Sequence, residues 1–354
     1  RERLPEGYTL SEYVRKRFSP RVQRLYWGEL VGLAACSFAV QLLAGGLVVS
    51  ALTGIPFVWV TLAFAAIALS YSLFSGLRGS VATDVAQLAV ILLIGMVIIP
   101  WAVARAGFAT VPSGYAGHSG EYRSLWAGAG LKTAWTFGIP VTLGLLAGPF
   151  GDQSFWQRAF ATQQEHLRQA LTRGALLFAI VPLMMSLLGF VAAGSGWETA
   201  NPELIAVETV RRLLPAWVLL PMTVLLLSGL ASTLDSNLCA VASLVGHDMT
   251  PEGKPGVRMA RFAMVLLAVG GVCIANVPGM KILYLFLFYG TLRAATLLPT
   301  VFSLTKARLS ERGVFWGILG AFCIGLPVFA YGNFTSRPGI AVLGSLATVL
   351  LSGA

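Results

Sequence analysis

Apolar residues fall in long unbroken blocks, near 29–53, 56–76, 85–105, 134–150, 175–195, 216–245, 262–277, 282–304, 313–332 and 339–354. A helix that crosses lipid needs roughly 20 such residues, so each block predicts one span. The blocks are continuous, whereas a membrane barrel would show short alternating segments. The expected fold is therefore an all-α polytopic membrane protein with about ten transmembrane helices. Ahead of the first block, Thr9 followed by Glu12 reads as a helix start, and Leu10, Tyr13, Val14 and Phe18 form an apolar stripe. That pattern predicts an amphipathic helix lying along the membrane surface, with a flexible tail as the alternative.

Polar residues inside the blocks matter most, because polar groups at membrane depth are costly and usually line a pathway. The densest group is Gly-Leu-Ala-Ser-Thr-Leu-Asp-Ser-Asn at 229–237, in the middle of the 216–245 span. Ser232 and Thr233 offer two hard oxygen donors, the kind an alkali cation accepts. Alternatively, both hydroxyls bond only to carbonyls of their own helix. Residues 75–80 read as a polar turn, and after it Asp84 and Gln87, three apart, can share a helix face. Asp84 either caps that helix or stands on an ion path. The 134–150 span carries Gly138, Pro140, Gly144, Gly148 and Pro149, which predicts a discontinuous helix; a helix closely packed through its glycines is the other reading. Arg158 is expected to snorkel at the inner surface. Arg293, at depth in the 282–304 span, needs a partner, and Asp235 is the nearest in kind.

Composition agrees with the pattern: 56% of residues are hydrophobic and 11% charged, against about 25% charged in soluble domains. The net charge of +10 reflects topology and does not point to a nucleic-acid partner. With the chain start placed inside, 17 basic residues fall on that side and 7 on the other, Arg293 lying within a span. The positive-inside rule then puts both ends of the chain in the cytoplasm of a cell membrane. Cys36, Cys239, Cys273 and Cys323 have no metal or disulfide spacing, and His118, His166 and His247 fall in loops or at span ends. No Ser/His/Asp set, His-Glu metal motif or acid pair sits at membrane depth, which argues against an enzyme and against an organic cofactor. The chain starts at Arg1 and stops at Ala354 within an apolar run, and it reads as truncated at both ends.

Four blocks, in order, resemble the sodium:solute symporter family. They are Thr-Leu-Ser-Glu-Tyr at 9–13, the Gly-Leu-Arg turn with Thr83, Asp84 and Gln87, the Asp152-Gln153 to Gln157-Arg158 block, and Ser-Thr-Leu-Asp-Ser at 232–236. The resemblance implies a leucine-transporter-like fold of two inverted five-helix repeats. Residues 1–26 would be a cytoplasmic amphipathic segment, 27–105 the remainder of the first repeat, 134–304 the second repeat and 313–354 accessory helices, all in one transporter domain. The first two helices of the first repeat would be absent, and half of the ion site with them. It further implies that Na+ is bound by the Ser232 and Thr233 hydroxyls and the Gly229 carbonyl, with Asp84 and Asp235 tuning the ion's exit. Gly144, Gly148, Pro149 and Phe150 would form the substrate or gate region. The run at 148–151 is closer to proline-carrying relatives than to sugar carriers, which favours an amino-acid-like, carboxylate or urea solute over sugar. The implied function is sodium-coupled symport. Its rival is a transporter-like sensor joined to a signalling kinase, which the downstream gene sequence would decide.

Overall fold

The computed structural model describes residues 4, 6–117, 120–124, 126–249, 256–305 and 308–353; His118, Lys254 and Lys306 lie outside them. Among the described residues every regular element is helical. The helices are α1 (Leu10–Arg17), α2 (Pro20–Thr53), α3 (Phe57–Ala106), α4 (Thr110–Tyr115), α5 (Gly128–Thr133), α6 (Ile139–Gly151), α7 (Gln153–Ala161) and α8 (Gln164–Gly194). They continue as α9 (Ile205–Leu213), α10 (Leu219–Asp248), α11 (Val257–Ala275), α12 (Ile282–Ala294), α13 (Leu297–Leu304), α14 (Glu311–Gly320), α15 (Leu326–Phe334) and α16 (Pro338–Ser352). Eight helical units among the described residues are long and apolar enough to cross a membrane, and α16 is a shorter apolar helix. At 50 residues, α3 would reach about 75 Å at 1.5 Å per residue, against a hydrocarbon core of about 30 Å. It is two spans joined at Gly76, whose φ of 56° and ψ of −153° break the helix. Counting α3 twice and adding α16 gives the ten spans expected.

The turn foreseen at 75–80 is narrower than its polar residues suggest. Helix resumes immediately after Gly76: before the break Ser75 donates to the Tyr71 carbonyl, and after it Thr83 Oγ1 lies 3.0 and 2.9 Å from the carbonyls of Gly79 and Ser80. Only glycine adopts a positive φ at little cost, so the reversal is concentrated in one residue.

The glycine- and proline-rich span is interrupted, but not where its densest breakers lie. α5 leads through a π turn, Ala134–Gly138, into α6, and the chain leaves helical geometry at Asp152 (φ −121°, ψ 117°). Gly148 and Pro149 remain within α6. Gly144 serves packing: a Cβ there would stand 2.8 Å from the Cα of Gly290 on α12. Close backbone approach through small residues is a common way for membrane helices to associate.

The main core joins α2, α3, α10, α11 and α12 through Phe38, Leu42, Leu238, Leu267 and Leu292. A second cluster seats α1 against the bundle. Leu10, Tyr13 and Val14 are buried, the Tyr13 hydroxyl donates to the Ser303 carbonyl at 2.9 Å, and the Leu10 N–H to Gln153 Oε1 at 3.0 Å. The stripe read as a lipid-facing surface is thus covered by protein. A pattern of apolar positions reports burial but not what does the burying. Helix α9 is itself amphipathic, burying Val207, Thr209 and Val210 and exposing Arg211 and Arg212.

Two outcomes follow. Gly144→Val drives a side chain into the Gly290 backbone, so it should cost ~1–3 kcal/mol by overpacking and lower the thermal midpoint of the detergent-purified protein. Gly174→Ala, which meets nothing within 4 Å and removes a glycine from a helix interior, should not lower that midpoint; an equal fall in both variants would contradict the packing. The second concerns Glu12, which accepts from the Tyr8 N–H at 3.1 Å and from Lys16 Nζ at 2.7 Å, with His247 Nε2 3.0 Å away. Partial burial pulls its carboxyl upward, but the Lys16 and Tyr8 donors outweigh burial and hold it below the ordinary carboxylate value of 4.5. A depressed carboxyl contributes stability above its unfolded value and loses it as pH falls through the folded one. Hydrogen exchange of the α1 amides, corrected for intrinsic rate, should therefore accelerate on acidification below pH 4.5. Glu12→Gln should show the faster exchange already at neutral pH.

Candidate functional site

Near the middle of α10, Gly229, Ser232, Thr233 and Ser236 recur at i, i+3, i+4 and i+7, the spacing of a single helix face. That face meets the second half of α3 and, further along, α7. The Ser232 hydroxyl donates to Asp84 Oδ1 in a short hydrogen bond. Asp84 Oδ2 accepts from Arg158 Nη2 at 2.6 Å, and the same nitrogen lies 2.6 Å from Ser236 Oγ. Gln157 Nε2 donates to the Ser236 carbonyl at 3.3 Å. Three elements, α3, α7 and α10, therefore meet in one polar knot. Asp84 neither caps a helix nor stands unpaired, and Arg158 does not snorkel to a surface: its head group turns into the bundle. A guanidinium and a carboxylate each lose hydration at this depth, and pairing them offsets much of that cost.

Thr233 Oγ1 lies 3.3 Å from the Gly229 carbonyl to which it donates, so this hydroxyl follows the local back-bonding pattern. Ser232 instead reaches across to α3. A hydroxyl has one proton and two lone pairs. Donation to Asp84 leaves the Ser232 oxygen free to accept, and Thr233 Oγ1 and the Gly229 carbonyl are neighbours on the same face. The donor set is hard oxygen throughout, with a carboxylate on its edge. It suits an alkali cation better than a soft metal, and among the described residues no group of three or more His, Cys, Asp or Glu side chains is placed to hold a metal ion.

Asp235 plays a different part. It is fully buried and accepts from the hydroxyls of Ser80 at 2.9 Å, Thr83 at 3.1 Å and Tyr71 at 3.1 Å. These three donors come from either side of the Gly76 reversal, so Asp235 ties both halves of α3 to α10. It is not the partner of Arg293. That partner is Asp152, 2.7 Å from Arg293 Nη2, with both side chains nearly buried. Asp152 also caps α7, accepting from the Ser154 N–H at 2.9 Å, and the Arg293 guanidinium stacks over the Tyr289 ring, 4.6 Å from its centroid. No spacing in the chain links residues 152 and 293. The signal available was only that each is a charge at membrane depth without a local partner.

The expected gate residues do not converge on Ser232. Gly144 and Gly148 are buried against α12, Gly148 facing Arg293; Pro149 is exposed, and Phe150 packs with Ala147, Ala294 and Leu297. From this interrupted unit it is α7, through Gln157 and Arg158, that reaches the Ser232–Ser236 face. Beyond the knot, towards the end of the bundle that carries α1, an open cavity of about 710 Å³ is lined by Tyr8, Gly76, Gln157, Phe160, Cys239 and Ser243 among others. Through Gln157 the polar knot borders this cavity.

Comparison with known proteins follows the same lines. The chain is 26% identical over 313 residues to a spermidine transporter of Candida albicans, covering 85% of this chain and 56% of that protein. It is 25% identical to a urea-proton symporter of Oryza sativa subsp. japonica, over 66% of this chain and 36% of the relative. A sodium/glucose cotransporter of Vibrio parahaemolyticus is 27% identical over 56% of this chain and 38% of its own length. The chain thus spans about half or less of the curated relatives it matches. The structure of a Na+-coupled sialic acid symporter, described as a substrate-bound outward-open state with a novel Na+ site, superposes with a TM-score of 0.77. That match covers 99% of this chain and 77% of the other at 14% identity, which establishes a common fold. A family model described as the sodium:solute symporter family matches residues 4–320, and the chain belongs to that family, one of transporters and not of enzymes.

Proposed function

We propose that this chain acts in sodium-coupled symport of a small organic solute by alternating access. The observation that carries the reading is the Gly229–Ser232–Thr233 face of α10, hard oxygen donors held at membrane depth beside Asp84. In this reading Na+ is bound by the Ser232 and Thr233 hydroxyls and the Gly229 carbonyl. Asp84 supplies negative charge at the edge of the site, and Asp235 acts at a distance by fixing α3 to α10. Residues 27–105 supply the later helices of the first inverted repeat and 134–304 the second, with 313–354 accessory. Both described ends face the cytoplasm of a cell membrane, as the distribution of basic residues supports, so the cavity bordered by Gln157 and Ser243 opens inward.

Coupling requires that sodium bind one conformation better than the other. Arg158 is placed for this, since it joins α7 to both Asp84 and Ser236. A cation beside Asp84 weakens the hold of Arg158 on that carboxylate by adding a like charge, and α7 then has less reason to stay against α10. The solute is small and polar, with amino-acid-like, carboxylate and urea classes favoured over sugar by the Gly148-Pro149-Phe150 run. Relatives whose names specify spermidine, urea and glucose reach beyond those classes, so the solute is for transport assays to decide.

In the full-length protein, Thr233→Ala should weaken binding of radiolabelled sodium by at least about tenfold, equivalent to ~1.4 kcal/mol, while the thermal midpoint without sodium stays near the parent value. Sodium binding that is unchanged in both Thr233→Ala and Ser232→Ala would remove this site from the mechanism.

A further inference from the structure

One buried acid plays no part in the sodium reading. Glu29, on α2, is 1% exposed, and neither of its carboxylate oxygens has a hydrogen-bond partner among the described residues. The charged groups that act on it from the elements packed around α2 are Asp152, at the α6–α7 junction, and Arg293, on α12. On its own helix the nearby Tyr26 hydroxyl is engaged with Thr300 Oγ1 at 2.9 Å. An ionised Glu29 would thus be a second carboxylate beside Asp152, sharing one guanidinium that Asp152 already holds at 2.7 Å. Arg293 Nε is itself without a partner, so the competition for this guanidinium is open.

The surroundings are rich in acceptors. Around Gly151, the Arg293 carbonyl, Thr296 Oγ1 and Glu29 Oε1 stand 3.2, 3.3 and 3.4 Å from the place a Cβ would take. Thr296 spends its own proton on the Arg293 carbonyl at 3.4 Å. Among the described residues no donor reaches either Glu29 oxygen, and the unpaired Arg293 Nε–H belongs to the guanidinium that Asp152 already holds. The three oxygens gather on the face where Gly151 carries no side chain. A proton on Glu29 turns one of its oxygens into a donor and needs no volume. Buried carboxyls without partners commonly resolve their cost by binding a proton.

We infer that Glu29 is a proton-binding site that controls the α6–α7 junction: protonated, it leaves Arg293 clamped to Asp152, and deprotonated, it draws Arg293 away. The step moves one proton between Glu29 and water and breaks no covalent bond. Because Asp152 caps α7, loss of the clamp loosens the start of the helix that carries Arg158. Proton binding at Glu29 would in this way reach the Ser232 face through α7. The inference does not depend on sodium being the ion bound there.

Trp156 reports on the junction, since its Nε1 donates to the Phe150 carbonyl across it at 3.2 Å. The test uses the full-length protein in lipid nanodiscs, titrated with pH in choline and in sodium media, with the Trp156→Phe spectrum subtracted to isolate this indole. The expected result is one pH-driven shift of Trp156 emission in both media, lost in Glu29→Gln and retained but displaced in Glu29→Asp. Infrared spectra at neutral pH should show a protonated-carboxyl band that disappears in Glu29→Gln. The inference is overturned if that band and the emission shift both survive in Glu29→Gln. A shift seen only with sodium present would make Glu29 a sodium ligand and also overturn it. Failure of Glu29→Gln to fold would do the same, because a neutral isostere should be tolerated where the native group is neutral. Loss of sodium binding in Thr233→Ala, read at fixed pH, stands or falls separately.

Discussion

A charge inside an apolar helical bundle has to be matched by donors or acceptors from neighbouring helices, and this requirement organises the molecule. Asp84 meets Arg158 and Ser232, Asp235 meets three hydroxyls of α3, and Asp152 meets Arg293. Each match crosses between elements far apart in sequence, so each also sets which helices lie side by side. Apolar packing alone is permissive in lipid, where the tails offer much the same contacts as leucine. Polar matches are not permissive, because a displaced helix would strand a buried charge at a cost of several kcal/mol.

The matches differ in how firmly they hold. Asp235 is saturated by three donors and fully buried, which makes the α3–α10 contact a fixed frame. The Asp84–Arg158 pair is about a quarter to a third exposed, so water can compete for both partners. The element that couples these regions is α7, short, capped by Asp152 at its start and tethered through Arg158 near its end. Alongside those charged contacts, Trp156 and Phe160 pack α7 into the apolar cluster that holds Tyr13 of α1. The glycine contact between α6 and α12 supplies a flat bearing beside it.

Much of the fold was legible because lipid imposes a simple rule on sequence. Ten apolar blocks became ten spans, since a helix must satisfy its backbone internally and clothe itself in apolar side chains over a set length. The Ser232–Thr233 pair stood out for the same reason, as a costly exception to that rule. Less legible were positions where one residue type serves two ends. Glycines at 144 and 148 read as breakers, yet in α6 they are close-packing surfaces, and the helix breaks at Asp152. Leu10, Tyr13 and Val14 read as a lipid-facing stripe and proved to be covered by protein.

The chain by itself determined its helices, their number and the depth of its polar residues, because these follow from local composition and hydrogen-bond geometry. Only the tertiary structure decided the pairings: Arg293 with Asp152 and not Asp235, Arg158 with Asp84 and not the membrane surface, and Glu29 with no donor among the described residues. A partner 141 residues away leaves no periodicity to read. Coulomb attraction depends on distance through space, and that distance exists only once the helices have packed.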